Sequence, residues 1–249
     1  MTKLIHLNCG KLQREGGPEI SCHCLLLVDD GKLILIDTGI GKKDVIDPEG
    51  RIGKEAINAF GFQFHMHLTA YQQVIALGFD PQSVEHCIIS HLDADHIGGL
   101  ADFPGATVHV SKTEWNGLMS GEPRYNQRLV DHHPNLKLYE SFDENWNGFA
   151  AAKVEVGTVA AIKLIALPGH TLGHCGVAVE TESESIFYTG DAYYLRDELF
   201  ISDHPAIPVS QQSAMDSEAQ RMTATSIRDL MMREHSSLRI FGYHDPGEF

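Results

Sequence analysis

The 249-residue sequence is short of positive charge: 19 lysines and arginines face 34 aspartates and glutamates, for a net charge of −15. Such a field repels phosphate backbones and anionic membrane surfaces. The densest basic cluster, Lys42-Lys43, is too small to reverse it, so nucleic acid is not an expected partner. Long apolar runs are missing as well. None approaches the ~20 residues of a membrane span, and "MTKLIHLNCGKLQREGG" holds no apolar core of signal-peptide length. The expectation is a cytoplasmic protein with no membrane partner. Cysteines are few and odd in number, and Cys9, Cys22, Cys24, Cys87 and Cys175 are scattered through apolar contexts. Reduced, buried thiols are expected rather than a disulfide framework. In Cys22-His23-Cys24, strand alternation puts both thiols on one face, so core packing is the reading there.

Histidine, by contrast, is plentiful: the chain has 15, several at the breaks between apolar runs and glycine turns. Those breaks delimit strands. "CHCLLLV" and "KLILIDTG" flank the turn "DDG" and predict a hairpin ending at Asp37. "AYQQVIALGF" has helical spacing stopped by Gly78, "VEHCIIS" predicts a strand running into His91, and "ATVHVS" a strand followed by the short helix "KTEWNGLM". "AAIKLIALPGH" and "CGVAVETESESIFYTGD" predict three more strands, and "LRIFGYH" a last one. From Ser213 to His235, Met215, Ala219, Met222, Ile227, Leu230 and Met231 lie near one helical face. Residues 40–69 lose clear periodicity and residues 120–152 are polar, so both are expected as insertions covering a site. Many strands without strict βαβ alternation predict one layered α/β domain over residues 1–249, two sheets with helices outside.

The stretch "HLDADH" places His91, Asp93, Asp95 and His96 between a strand and a glycine pair. Four such groups, with no positive side chain near them in the sequence, repel one another unless cations neutralise them, so divalent metal is expected. The pair Asp95-His96 and the alternating pair His91, Asp93 point in different directions, which suits two neighbouring metals. His170, Asp191 and His244 each end an apolar run and can gather at the same sheet edge.

The motifs "HLDADH", "PGHTLGH" at 168–174, "TGD" at 189–191, "IDTG" at 36–39 and the terminal "GYHDP" resemble the metallo-β-lactamase superfamily over nearly the whole chain. The resemblance implies an αββα sandwich, two mixed sheets with helices on the outer faces and a dinuclear site at one edge. It implies that His91, Asp93 and His170 hold a first metal, that Asp95, His96 and His244 hold a second, and that Asp191 bridges both. Asp37 is then expected to orient a ligand, with Asp245 a candidate for the same task, and His174 to sit outside the ligand set. His65 and His67 either line the pocket or lie on the surface, and His132 and His133 are expected in exposed loop.

Two divalent cations sharing a water supply hydroxide near neutral pH and polarise the bond attacked. The expected chemistry is hydrolysis of a small-molecule carbonyl substrate, with Asp95 carrying a proton to the leaving group. "GDAYYLRDE" looks most like the acyl-homoserine-lactone lactonases, and that likeness implies that Tyr194 bonds the substrate, with Tyr193 the other candidate. Asp93 departs from that pattern, in which a histidine is more usual. Counted with Asp95, Asp191 and a hydroxide, it balances two divalent cations to neutrality. That balance would temper the first metal, and carboxylate oxygen, which suits harder ions better than imidazole does, would favour manganese or iron beside the zinc otherwise expected. A carboxylate here also resembles the flavodiiron proteins, whose redox chemistry would need a separate electron donor. A metal-binding non-catalytic homologue is the remaining reading, and a homodimer is the prior for assembly.

Overall fold

Period-two alternation builds two sheets. In the computed structural model, which describes residues 2–14, 16–234 and 238–249, the first sheet comprises β1 (Lys3–Gln13), β2 (Glu19–Asp29), β3 (Lys32–Ile36), β4 (Phe62–Gln63), β5 (Val84–Ile88), β6 (Thr107–Ser111) and β7 (Asn135–Tyr139). Their order is β4-β1-β2-β3-β5-β6-β7. The second comprises β8 (Glu144–Trp146), β9 (Phe149–Val154), β10 (Ala161–Ala166), β11 (Cys175–Glu180), β12 (Ser185–Tyr188) and β13 (Arg239–Phe241), in the order β13-β12-β11-β10-β9-β8. Both are mixed. The β2-β3 hairpin is antiparallel while β3, β5, β6 and β7 run parallel; in the second sheet only the β12-β13 pair is parallel.

The helices are α1 (Lys42–Ile46), α2 (Pro48–Arg51), α3 (Lys54–Phe60), α4 (Ala70–Ala76), α5 (Ala94–Ile97), α6 (Lys112–Met119), α7 (Ala206–Ser213) and α8 (Ser217–Arg233). Alternate residues of the second sheet show how the layers assemble. Leu164, Val177, Val179 and Tyr188 face the first sheet and share its core with Cys24, Leu25 and Leu35, whereas Ile165, Ala178 and Phe187 pack on Ile227 and Leu230 of α8. On the first sheet, α4 packs against β1, and α6 against β6 and β7. The αββα architecture is thus the observed one, and all five cysteines are buried and free within it.

Three expectations need correction. Residues 40–69 are not irregular: they form α1, α2, α3 and the edge strand β4, paired with β1, in elements too short to show a period. Residues 120–152 are not all insertion, because β7, β8 and part of β9 lie there. β7, "NLKLY", is an edge strand whose alternate residues are exposed, so its polarity marks half-burial rather than loop. On α8, Met222 is 60% exposed while Gln220 and Thr223 turn inward. Asp216 caps that helix by accepting from the Glu218 and Ala219 N–H groups, and the expected end at His235 lies outside the described residues.

Candidate metal centre

The seven candidate ligands all follow strand C-termini. β5 leads to His91, Asp93, Asp95 and His96, β10 to His170, β12 to Asp191 and β13 to His244. β10 and β12 are both antiparallel to β11, hence codirectional, and β13 runs parallel to β12, so these ends share one edge. Close backbone packing holds the edge together. A Cβ on Gly98 would lie 2.1 Å from Asp44 Oδ2, and Gly169, at φ +139°, would place one 2.2 Å from the Gln220 backbone nitrogen.

Two triads result. Ligand atoms of His91, His170 and Asp191 lie within 4.8 Å of one another, as do those of Asp95, His96 and His244. Asp191 touches both: Oδ1 is 3.2 Å from His96 Nε2, and Oδ2 is 3.3 Å from His170 Nε2 and 3.2 Å from His244 Nε2. Asp93 Oδ2 joins the first group, 3.3 Å from His91 Nε2 and 3.1 Å from His170 Nε2. His91 Nε2, His96 Nε2 and Asp191 Oδ1 are buried with no hydrogen-bond partner. Buried polar atoms are rarely left so, and imidazole with carboxylate is a donor set for divalent cations. The residues therefore fit the metal ions that the sequence motif implies.

Partners behind the triads fix which nitrogen faces inward. Asp37, fully buried, takes His96 Nδ1–H at 2.8 Å, Ser90 N–H at 2.8 Å, Ser90 Oγ–H at 2.7 Å and the Tyr188 hydroxyl. His244 Nδ1 donates to the Ser21 carbonyl at 2.9 Å. His174 donates from Nδ1 to the Leu167 carbonyl and accepts the Asp191 N–H at Nε2, both at 3.0 Å, so it positions Asp191 and stands outside the triads as expected. Two helpers were not foreseen. Gln220 donates to the Asp191 and Ala192 carbonyls, and Glu114 accepts from Leu92 N–H and the Thr171 hydroxyl, tying the two histidine loops together. Asp245 instead caps the final turn, accepting from Gly247 N–H and Arg196 N–H.

The two tyrosines separate cleanly. Tyr193 is buried and donates to the Glu248 carboxylate. Tyr194 stands between the triads, its ring 5.9 Å from that of His170 and 5.1 Å from that of His244. Burial and the Asp191 carboxylate push its pKa above the usual phenol value, which keeps the proton on oxygen. His65 and His67 are exposed neighbours, 5.7 Å apart by ring centre; His133 is exposed too, but His132 is half-buried.

No positive side chain stands near "HLDADH" in the sequence, but the fold brings one to it. Arg124 meets Asp93 with two parallel hydrogen bonds, Nε to Oδ1 at 2.7 Å and Nη2 to Oδ2 at 2.5 Å. Its Nη1 donates to the Ser213 carbonyl, and Nη2 lies 2.7 Å from His170 Nε2. Burial alone would raise the Asp93 pKa, but Arg124 and His91 outweigh it and hold the carboxyl well below the usual range. Likewise burial would raise Asp191, yet His244, His96 and His170 hold it well below. Burial would lower His96, and the carboxylates of Asp191, Asp95 and Asp37 raise it instead.

Comparison with known proteins bears on this arrangement. The profile of the metallo-beta-lactamase superfamily matches residues 17–223. The chain belongs to that superfamily. A probable metallo-hydrolase of Mycobacterium tuberculosis is 34% identical over 98% of this chain and 80% of its own length. An N-acyl homoserine lactonase of Rhizobium johnstonii is 28% identical over 89% of this chain and 80% of its own. Among solved structures, an N-acyl homoserine lactone hydrolase with N-hexanoyl-L-homoserine bound at its catalytic metal centre superposes with a TM-score of 0.76 at 23% identity, covering 99% of this chain and 94% of that one. At that identity the likeness bears on the fold. The protein is a metal-dependent hydrolase of the superfamily. Among the described residues no helix is long and apolar enough to cross a membrane.

Proposed function

We propose that this superfamily hydrolase works with two divalent metal ions on a small carbonyl substrate, a lactone or other small ester. His91, Asp93 and His170 would hold one ion, Asp95, His96 and His244 the other, with Asp191 shared. One observation carries the reading: two buried triads meet at Asp191, whose carboxylate lies within 3.3 Å of His96, His170 and His244 together. When bound, the pair of cations supplies an ionised water at neutral pH and polarises the carbonyl to be attacked.

The chain's own groups do the rest. Tyr194, its phenol kept protonated between the triads, donates a hydrogen bond to the carbonyl or leaving oxygen of a substrate seated there. Asp95 presents beside His96 and His244 a carboxylate that takes up the proton released by the hydroxyl added to the carbonyl and passes it to the departing alkoxide. The named lactonase relative and the N-hexanoyl-L-homoserine product in the similar solved structure support a lactone over other carbonyl compounds.

Elemental analysis of freshly purified protein, followed by assay of each metal-loaded form against lactones, esters, thioesters, β-lactams and phosphodiesters, tests this. Two metals per chain and lactone or ester turnover are expected, and Asp191→Ala should sharply reduce both. Turnover of phosphodiesters alone would overturn the carbonyl reading, and metal content and turnover that survive Asp191→Ala would overturn the shared-ligand assignment.

A further inference from the structure

We infer that Asp93 and Arg124 act together as one electrically neutral unit, which takes the place of the histidine more usual at position 93. Here Arg124 is a positioning residue for the first metal site. The inference rests on the two-metal reading above.

A carboxylate added to a site already holding Asp95 and Asp191 adds a full negative charge, and its interaction with a nearby cation is large at partly buried positions. A neutral imidazole adds none. Arg124 cancels the difference: a guanidinium is never deprotonated in proteins, and its planar fork matches a carboxylate through two parallel bonds. That is the contact seen, Nε to Oδ1 and Nη2 to Oδ2. The fork is held from behind, because Nη1 is tied to the Ser213 carbonyl at the end of α7, so the charge is fixed rather than carried on a free surface chain. Both partners are only 19% exposed in their side chains, which limits screening by solvent. With Arg124 counted, the formal balance of the proposed site rises by one positive charge, to the value that a histidine at 93 would give. The tempering of the first metal expected from the charge of Asp93 loses its basis, and only the exchange of an imidazole nitrogen for a carboxylate oxygen still distinguishes this ligand set.

The pair is tested by exchanging its members, with metal per chain and zinc affinity as readouts and a denaturant melt of each metal-free variant as the folding control. Asp93→His alone supplies the more usual ligand but leaves Arg124 uncompensated beside it. The expected result is a first-site zinc affinity weakened about 10- to 100-fold, as when a partner behind a metal ligand is lost, with the second site retained. Asp93→His with Arg124→Gln should recover the first site to within about threefold of the unsubstituted protein. If Asp93→His alone binds two zinc ions as tightly as the unsubstituted protein, or if adding Arg124→Gln recovers nothing in a folded chain, the neutral-pair inference falls. One metal per chain in the unsubstituted protein would overturn the two-metal reading itself, and that measurement precedes the exchange.

Discussion

Replacing Asp37 by asparagine changes one oxygen to nitrogen and keeps the side chain's shape, so its effects report on proton placement. Asp37 Oδ1 takes the Ser90 N–H, which can only donate; the amide oxygen of an asparagine must therefore stay there and the NH2 must replace Oδ2. Three groups now donate to Oδ2: His96 Nδ1, Ser90 Oγ and Tyr188 Oη. The hydroxyls can rotate and accept, but His96 Nδ1 can accept from an amide only by giving up its proton. The neutral ring then carries hydrogen on Nε2, the atom that otherwise lies buried and unpartnered in the triad with Asp95 and His244. Two separable costs follow. Mismatched donors should lower the stability of the metal-free protein by about 1–3 kcal/mol. Moving the proton to the ligand atom should weaken metal binding at that triad by about 10- to 100-fold. Denaturant melts of metal-free protein measure the first, and titration against a competing chelator measures the second. A variant that loses stability yet binds metal within threefold of the unsubstituted protein would refute the tautomer assignment, and one unchanged in both would refute the hydrogen-bond pattern.

Other perturbations separate the remaining roles. Tyr194→Phe should cut lactone turnover by about 10²- to 10³-fold at constant metal content, and unchanged kinetics would remove the tyrosine from the chemistry. Ile227→Ala truncates a fully buried side chain between α8 and the second sheet and should cost about 2–5 kcal/mol in urea unfolding; a loss below about 1 kcal/mol would mean that this layer is not tightly packed. His109 is buried against His86 and Tyr139, and burial with the neighbouring His86 lowers its pKa from 6.5 to about 4. The unfolded chain therefore binds a proton that the native one refuses, so stability is full above pH 6.5 and falls towards pH 4, by at most about 3 kcal/mol from this group. Replacing His109 by glutamine should flatten that part of the stability–pH curve, and an unaltered slope would assign the acid sensitivity elsewhere.

What could be foreseen from the sequence divides by range. The candidate ligands could be picked out because they follow the ends of apolar runs, His170 four residues after β10, Asp191 and His244 three after β12 and β13, and His91, Asp93, Asp95 and His96 three to eight after β5. The β2-β3 hairpin was legible for the same reason, its turn chemistry lying between two adjacent runs. β7 was not, because a five-residue edge strand buries so little that its composition resembles loop. Met222 was misplaced on α8 because three and four residue spacings admit two adjoining faces, and the sheet selected the one with Gln220, Thr223, Ile227 and Leu230. Asp245 was misjudged since a carboxylate after a ligand can orient that ligand or cap the next turn, and only the position of Gly247 N–H decides between them.

The charge at position 93 shows why long-range pairing changes a chemical conclusion and not only a contact. From the sequence, Asp93 reads as an uncompensated negative charge in the candidate ligand set as well as an oxygen donor in place of an imidazole. Its counter-charge lies 31 residues away, in a polar stretch with no motif, and is anchored in turn to Ser213, 89 residues further on. Nothing in local spacing connects these three positions; the fold brings them together. A ligand's identity therefore sets the electrostatics of a site only together with the group that holds it. A carboxylate clamped by a guanidinium and a neutral imidazole carry the same formal charge, so the charge of Asp93 by itself argues neither against zinc nor against hydrolysis.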